Sequence, residues 1–427
     1  MDKRLFDEMI ATRRHLHTMP EEGWTEFETT YFIVKRLREI GYETVLAGKD
    51  IIDPASVRGR SEELVNAAVE RALGNGVPAE FIEACGRYTG AAAILKTGRP
   101  GPVTALRFDI DCVCVQETDD PEHAPNKLGF RSARKGLMHA CGHDGHTSVG
   151  LAVARDLFEH RDALCGTIKL IFQPAEEGVR GAVAIVGSGI LDDVDIILGS
   201  HVGGKCKLGH VGLVHGGVLA STKLDIYFEG VPSHAGNAPE KGKSALMAAC
   251  ATAMMMAGIP RHGEGASRVA VGKLIAGEGR NVVPAHAYIQ TEVRGETAAV
   301  NDFMVKNVEQ IVAGNALAYG VQSRIVVAGE ATTIIECPEI LDIVREIARD
   351  VPGVEAIDEL STPAGSEDFT MMLKRVVEHG GRGGMFRWGC NHHGHHKRDF
   401  ELQDTESMPV GFEVFSRFVR RVNRCEG

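Results

Sequence analysis

No stretch of this 427-residue sequence approaches the roughly 20 consecutive apolar residues that a bilayer-spanning helix needs, and the apolar segment at Met254-Met255-Met256 is too short. A membrane span is therefore not expected. Met1-Asp2-Lys3-Arg4-Leu5 runs straight into a helical pattern without the apolar core of a secretory leader, so a cytoplasmic protein is expected. Positive charge is also short: 47 Lys and Arg face 58 Asp and Glu, for a formal charge of -11. That balance repels phosphate backbones and speaks against nucleic-acid binding. The ten Cys are too dispersed for a small disulfide scaffold, and in a reducing compartment they are expected to be thiols. Fixed-period repeats, low-complexity tracts and long charge runs are missing.

What is plentiful is Gly, at 50 residues, and His, at 18, both beyond what packing alone requires. A chain with 44% hydrophobic and 25% charged residues has the composition of an ordinary globular protein, and its length favours two domains over one.

The periodicity supports that division. Two amphipathic helices are expected within 3–41, broken at Met19-Pro20-Glu21-Glu22-Gly23, and two more at 61–73 and 78–85. A short apolar run, 103–111, then ends in Asp109 and Asp111, as a buried strand delivers carboxylates at its C-terminal edge. Alternating helices and strands follow: a helix at 147–160, a strand at 167–173, a helix at 178–187 and a strand at 195–201. The pattern predicts an α/β catalytic domain with a mixed, largely parallel sheet flanked by helices. Residues 222–329 read instead as β-α-β-β-α-β, the ferredoxin-like unit. The expected boundaries are 1–217 and 330–427 for a discontinuous metal-binding catalytic domain, with a lid or dimerisation domain inserted at 218–329. Helices are expected again at 338–350, 371–377 and 409–423.

Four clusters carry chemistry. In His139-Ala140-Cys141-Gly142-His143-Asp144-Gly145-His146-Thr147, three imidazoles, a thiol and a carboxylate crowd a strand-to-helix junction. Thiolate and neutral imidazole suit a borderline divalent cation, and Asp144 could accept the second ring N–H of a ligating His; a nucleophilic Cys–His pair is the rival reading. In Gln173-Pro174-Ala175-Glu176-Glu177-Gly178 two adjacent carboxylates end an apolar strand, so one can ligate while the other works as general base. His201 ends the next strand. Asn391-His392-His393-Gly394-His395-His396 places four His in five positions, of which one or two can aim at one ion. In the inserted domain, His234 sits in a Gly/Pro turn where a donor imidazole could stabilise an oxyanion. Asn281 and Arg294 could hold an anionic substrate. Gly365 and Ser366 open a helix whose free N–H groups could take a carboxylate.

Taken in order, these motifs, with Ser-His-Ala at 233–235, Asn-Val-Val-Pro at 281–284 and Gly-Ser-Glu-Asp-Phe at 365–369, resemble the amidohydrolase branch of the metallopeptidases related to carboxypeptidase G and aminoacylase. Within it, the helical insertion before Arg87-Tyr88-Thr89-Gly90 and the Gly-His-His at 394–396 are similar to the aminobenzoyl-glutamate hydrolase group. The resemblance implies two divalent ions per chain, manganese favoured, with zinc or another divalent ion as alternatives. Cys141 would bridge both, His143 and His201 completing one ion's protein ligands and Glu177 and His396 the other's. His396 is chosen because Phe400 stands four residues after it, and His395 is the alternative. Glu176 would be general base and acid, Asp111 would act from behind the ligands, and His234 would reach across a homodimer formed through the small domains.

The expected activity is hydrolysis of the C–N bond in an aromatic, carboxylate-bearing amide, aminobenzoyl-glutamate or a similar N-acyl amino acid, by a metal-activated water. Two alternatives use the same residues: release of ammonia from an electron-poor aminoarene such as a substituted aminobenzoate, and a non-catalytic role beside a homologous second chain.

Overall fold

The computed structural model describes residues 1–362 and 365–425. Among these the chain forms twelve strands: β1 (Thr44–Ala47), β2 (Ala91–Lys96), β3 (Val103–Asp109), β4 (Thr167–Gln173), β5 (Ile196–Val202), β6 (His210–Val214), β7 (Ala220–Glu229), β8 (Ser267–Ala276), β9 (His286–Gly295), β10 (Gln322–Ala331), β11 (Ala356–Leu360) and β12 (Arg382–Trp388). Contacts divide the chain into two units, the first Met1–Gly216, Ile334–Thr362 and Asp368–Gly427, the second Gly217–Thr333 with Pro363–Glu367.

The first unit holds an eight-stranded sheet of order β1-β2-β4-β3-β5-β12-β6-β11. Its centre is parallel: β4, β3, β5 and β12 all run the same way, while β1, β2 and β6 introduce antiparallel pairs. The α/β class with a mixed sheet is therefore as expected. Asp109 lies opposite Gln173 and His201 opposite Arg387, so four parallel strands bring their carboxyl ends to one edge, where ligand sites of open α/β sheets form.

The helix His143–Glu159 packs across this sheet. It begins four residues earlier than its periodicity suggests, because it is buried along nearly its whole length and shows no polar face to mark its start. Gly142 caps it with φ of 87°, a left-handed conformation that glycine adopts without penalty. At Gly150 a Cβ would come within 2.7 Å of Phe108 and 2.8 Å of Phe172, so the missing side chain lets the helix lie against the sheet. Phe108 in turn packs on Phe415, centroids 4.9 Å apart.

The strands that periodicity misses, β1, β2, β6, β11 and β12, are four to seven residues long. Runs that short carry too few alternations to separate strand from loop. A second difference concerns thiols: Cys165 and Cys425 are joined in a disulfide, their backbones already held together by the Cys165 N–H donating to Asn423 O at 2.7 Å.

The second unit is an antiparallel sheet of order β10-β7-β9-β8, with the helices Ala245–Ala257 and Ala298–Tyr319 packed on it and on each other. The connection order is β-α-β-β-α-β. Leu224, Ile226, Phe228, Ile289, Met304 and Val308 form its own core.

The first helix, Lys3–Thr18, is tied to the helix His143–Glu159 by buried charges. Asp144 accepts from His17 Nδ1 at 2.8 Å and faces Arg13 Nε at 3.0 Å, and Glu117 lies 3.1 Å from His17 Nε2 and 3.2 Å from His123 Nε2. Burial opposes ionisation of Glu117, but His123 and His17 outweigh it and bring its carboxyl down to about 2 from 4.5. A depressed folded-state pKa gives stability that is present above the unfolded value and lost as pH falls through the folded one. Thermal unfolding followed from pH 6 to pH 2.5 should therefore show a loss below about pH 4.5 of up to about 3 kcal/mol. Glu117→Gln should flatten that slope while lowering stability at neutral pH.

Candidate metal centre

Each arm of the parallel edge delivers one part of the site. Cys141 and His143 flank the left-handed Gly142 at the helix start, Asp109 ends β3 and Asp111 follows it, Glu176 and Glu177 follow β4, His201 lies at the end of β5, and His395 and His396 follow β12. Cys141, His143 and His201 offer ligand atoms within 4.8 Å of one another, and so do Cys141, Glu177 and His396. The two groups share the Cys141 sulfur, which lies 3.4 Å from His201 Nε2; His396 Nε2 is 3.0 Å from Glu177 Oε1. The five residues marked as ligands by their motifs are thus brought together.

Asp111 holds three of the pieces at once. Its Oδ1 lies 3.2 Å from His143 Nδ1 and accepts the Glu176 N–H at 3.1 Å, and its Oδ2 accepts the Glu177 N–H at 2.9 Å. A carboxylate on one imidazole nitrogen leaves the other free to ligate. His143 Nε2 is that other nitrogen, buried without a hydrogen-bond partner and 3.8 to 4.0 Å from Asp109, Glu176 and Glu177.

Asp144, read as the partner of a ligating His, has a different task. It anchors Arg13 and His17, and Asp111 takes the imidazole instead. The reason is direction: Asp144 lies in the first turn of the helix next to His143, so its side chain points to a different side.

The loop carrying Glu176 is clamped. Ala175 and Val179 take φ of 52° and 56°, conformations that non-glycine residues rarely occupy unless the surroundings impose them. Glu26 accepts the Ala175 N–H at 2.8 Å, and Asp368 accepts those of Gly181 and Ala182 at 3.2 and 3.0 Å. Asp368 also receives Arg107 at 3.2 Å and Gln173 at 2.7 Å. Sequence reasoning gave Arg107 and Asp109 no role, although alternation along β3 puts them on the same side as Asp111.

Electrostatics fits a cation. Burial, with Glu177 and Glu176 nearby, pushes the Cys141 thiol well above its ordinary pKa. Burial also disfavours charge on His143, but Asp109, Asp111 and Glu177 overcome it and raise that imidazole to about 10. Arg107 offsets Asp109 at 2.6 Å, but Glu177 and Glu176 still place negative charge about Cys141, and the donors, one sulfur with imidazoles and carboxylates, suit a divalent ion.

The remaining predicted residues lie in the second unit. His234 is exposed, and its Nδ1 accepts from the Gly236 and Asn237 amides at 3.1 Å each, so its proton sits on Nε2, the form a donor needs. Asn281 lies beside it, its carbonyl accepting the Ala235 N–H at 2.9 Å. Arg294 is paired with Glu292 at 3.0 Å. Gly365 and Ser366 precede the helix Phe369–Glu378, with Gly365 bridged to Val218.

Comparison with known proteins shows the family to which the chain belongs. The sequence profile of the family described as Peptidase family M20/M25/M40 matches residues 105–421. The chain is 40% identical to a p-aminobenzoyl-glutamate hydrolase homolog of Haemophilus influenzae, across 97% of this chain and 98% of that protein. It is 42% identical to the indole-3-acetyl-aspartic acid hydrolase of Enterobacter agglomerans, across 97% and 95%. The crystal structure of an aminobenzoyl-glutamate utilization protein from Klebsiella pneumoniae superposes with a TM-score of 0.84 at 37% identity, covering 98% of this chain and 96% of that one. The chain belongs to the M20/M25/M40 peptidase family. It is a metal-dependent hydrolase of amide bonds.

Removing the shared sulfur should empty the site. Elemental analysis of Cys141→Ala is expected to show less than half the metal of the unsubstituted protein, with far-UV circular dichroism unchanged.

Proposed function

We propose that this chain hydrolyses the amide bond between an aromatic acyl group and an acidic amino acid, with two divalent ions, manganese foremost, held about one cysteine. The observation that carries this reading is the pair of ligand groups meeting at Cys141 Sγ. The names of the relatives support the substrate class, one being called a hydrolase of p-aminobenzoyl-glutamate and another of indole-3-acetyl-aspartic acid.

Cys141, His143 and His201 would hold one ion and Cys141, Glu177 and His396 the other. When bound, the ions supply Lewis acidity and make water acidic near neutral pH. Glu176, 7% exposed beside His143, takes the proton from the attacking water and returns it to the leaving nitrogen. Asp111 keeps His143 and the Glu176–Glu177 backbone in place. His234, with its Nε2–H, donates to the developing oxyanion, and Asn281, Arg294, Gly365 and Ser366 receive the substrate carboxylates. For Arg294 this means sharing its guanidinium between Glu292 and the substrate.

The second unit serves as lid and as homodimer contact in this reading. Its support is an edge strand, β8, exposing Val271, Leu274 and Ile275, near a helix exposing Met254 and Met255. The Haemophilus relative is named as one of an enzyme's subunits, which supports a homologous second chain in the assembly.

Incubation of the manganese-loaded protein with aminobenzoyl-glutamate and with indole-acetyl-aspartate should release glutamate and aspartate, measured by chromatography. Glu176→Gln should keep its metal yet lose about 10²- to 10⁴-fold in turnover. Ammonia without a released amino acid would exclude the amidase reading.

A further inference from the structure

Among the described residues, His395 is the one imidazole at the shared sulfur that the proposed ligand set leaves unused. Its Nδ1 lies 3.4 Å from Cys141 Sγ, as close as His201 Nε2, and its ring meets that of His201 edge-on, centroids 5.0 Å apart. At the far side of the ring, Nε2 stands 3.0 Å from the Gly204 amide nitrogen. A backbone N–H can only donate, so Nε2 is the acceptor and the ring proton belongs on Nδ1.

The same amide also faces His392 Nε2 at 3.1 Å, but His392 Nδ1 already accepts the Gly394 N–H at 2.9 Å. A neutral imidazole has one acceptor nitrogen, so with His392 committed to Gly394, the Gly204 amide is left to His395. A nitrogen that carries a proton cannot ligate a cation. A thiolate has no proton to give, so it too requires the hydrogen on Nδ1.

We infer that His395 is a positioning residue: it donates its Nδ1–H to the Cys141 sulfur and holds that sulfur in the form that bridges the two ions, without itself ligating. This rests on reading Cys141 as the shared ligand. The next residue, His396, takes φ of 60°, and that left-handed step turns two consecutive rings to different tasks, His395 to the sulfur and His396 to Glu177. A hydrogen bond to a thiolate spreads part of its charge and steadies it in a buried pocket, as outer partners of metal ligands do.

Cobalt(II) is the probe, because its content can be counted and its sulfur-to-metal charge-transfer band reports on the thiolate. His395→Phe should still take two cobalt ions per chain at saturation, bind them about tenfold or more weakly, and show the band at lower energy. His395→Asn, whose amide N–H can stand near the place of Nδ1, should recover the band position and most of the affinity. His396→Phe should lose one ion of the two. A His395→Phe protein that loses an ion as His396→Phe does would make His395 a ligand and overturn the inference. So would a band and an affinity that neither His395 substitution moves. A thiolate band missing from the unsubstituted protein would overturn the shared-sulfur reading itself, a failure recognisable before any substitution is made.

Discussion

Negative groups do not gather in a buried pocket unless something positive holds them, and this constraint governs the first unit. Around Cys141 stand Asp109, Asp111, Glu176 and Glu177, all with little exposure. Burial, with Glu177 and Glu176 nearby, raises the Cys141 thiol, and Asp109, Asp111 and Glu177 overcome burial to raise the His143 imidazole. A divalent ion would turn the repulsion that resists ionisation into attraction to a common centre, and its binding energy would offset the burial of the groups that hold it.

The scaffold exists to keep those groups from relaxing apart. Four parallel strands end at one edge because helical crossovers return the chain to the same side each time, so residues from 109 to 396 arrive together. Flexibility then has to be removed from the loops beyond the strand ends. Asp111 and Asp368 do this by accepting backbone N–H groups from the Glu176 loop. Arg13 and His17 do it by fixing Asp144, in the first turn of the helix His143–Glu159. Each anchor is a buried ion pair or charge-assisted hydrogen bond, costly if one partner is lost and therefore strongly directional.

The second unit follows a different logic. Its core is aliphatic and self-contained, and the polar groups it buries pair internally, Asn301 with Thr222 and Asn315 with Thr252. His234 lies exposed in a turn, and Arg294, on the inner strand β9, is half-buried and paired with Glu292.

Composition pointed to a metal site, because thiol, imidazole and carboxylate crowded into a few short motifs have little other use, while the five particular side chains were expected from the family resemblance. The long amphipathic helices and the alternating strands of the second unit were equally legible, since their period repeats often enough to be read. The short strands β1, β2, β6, β11 and β12 were not, nor was the start of the buried helix at His143, which has no polar face. Asp111 was expected behind the ligands from the resemblance, but other partner choices lay beyond the motifs: that Asp144 takes Arg13 and His17, that Cys165 meets Cys425, and that His395 and His396 divide between sulfur and carboxylate. Local order dictates which side chains are available and which way neighbours along the chain point. Only the packing of segments 60 to 260 residues apart decides which of them come within the few ångströms where a hydrogen bond or a coordination bond can form.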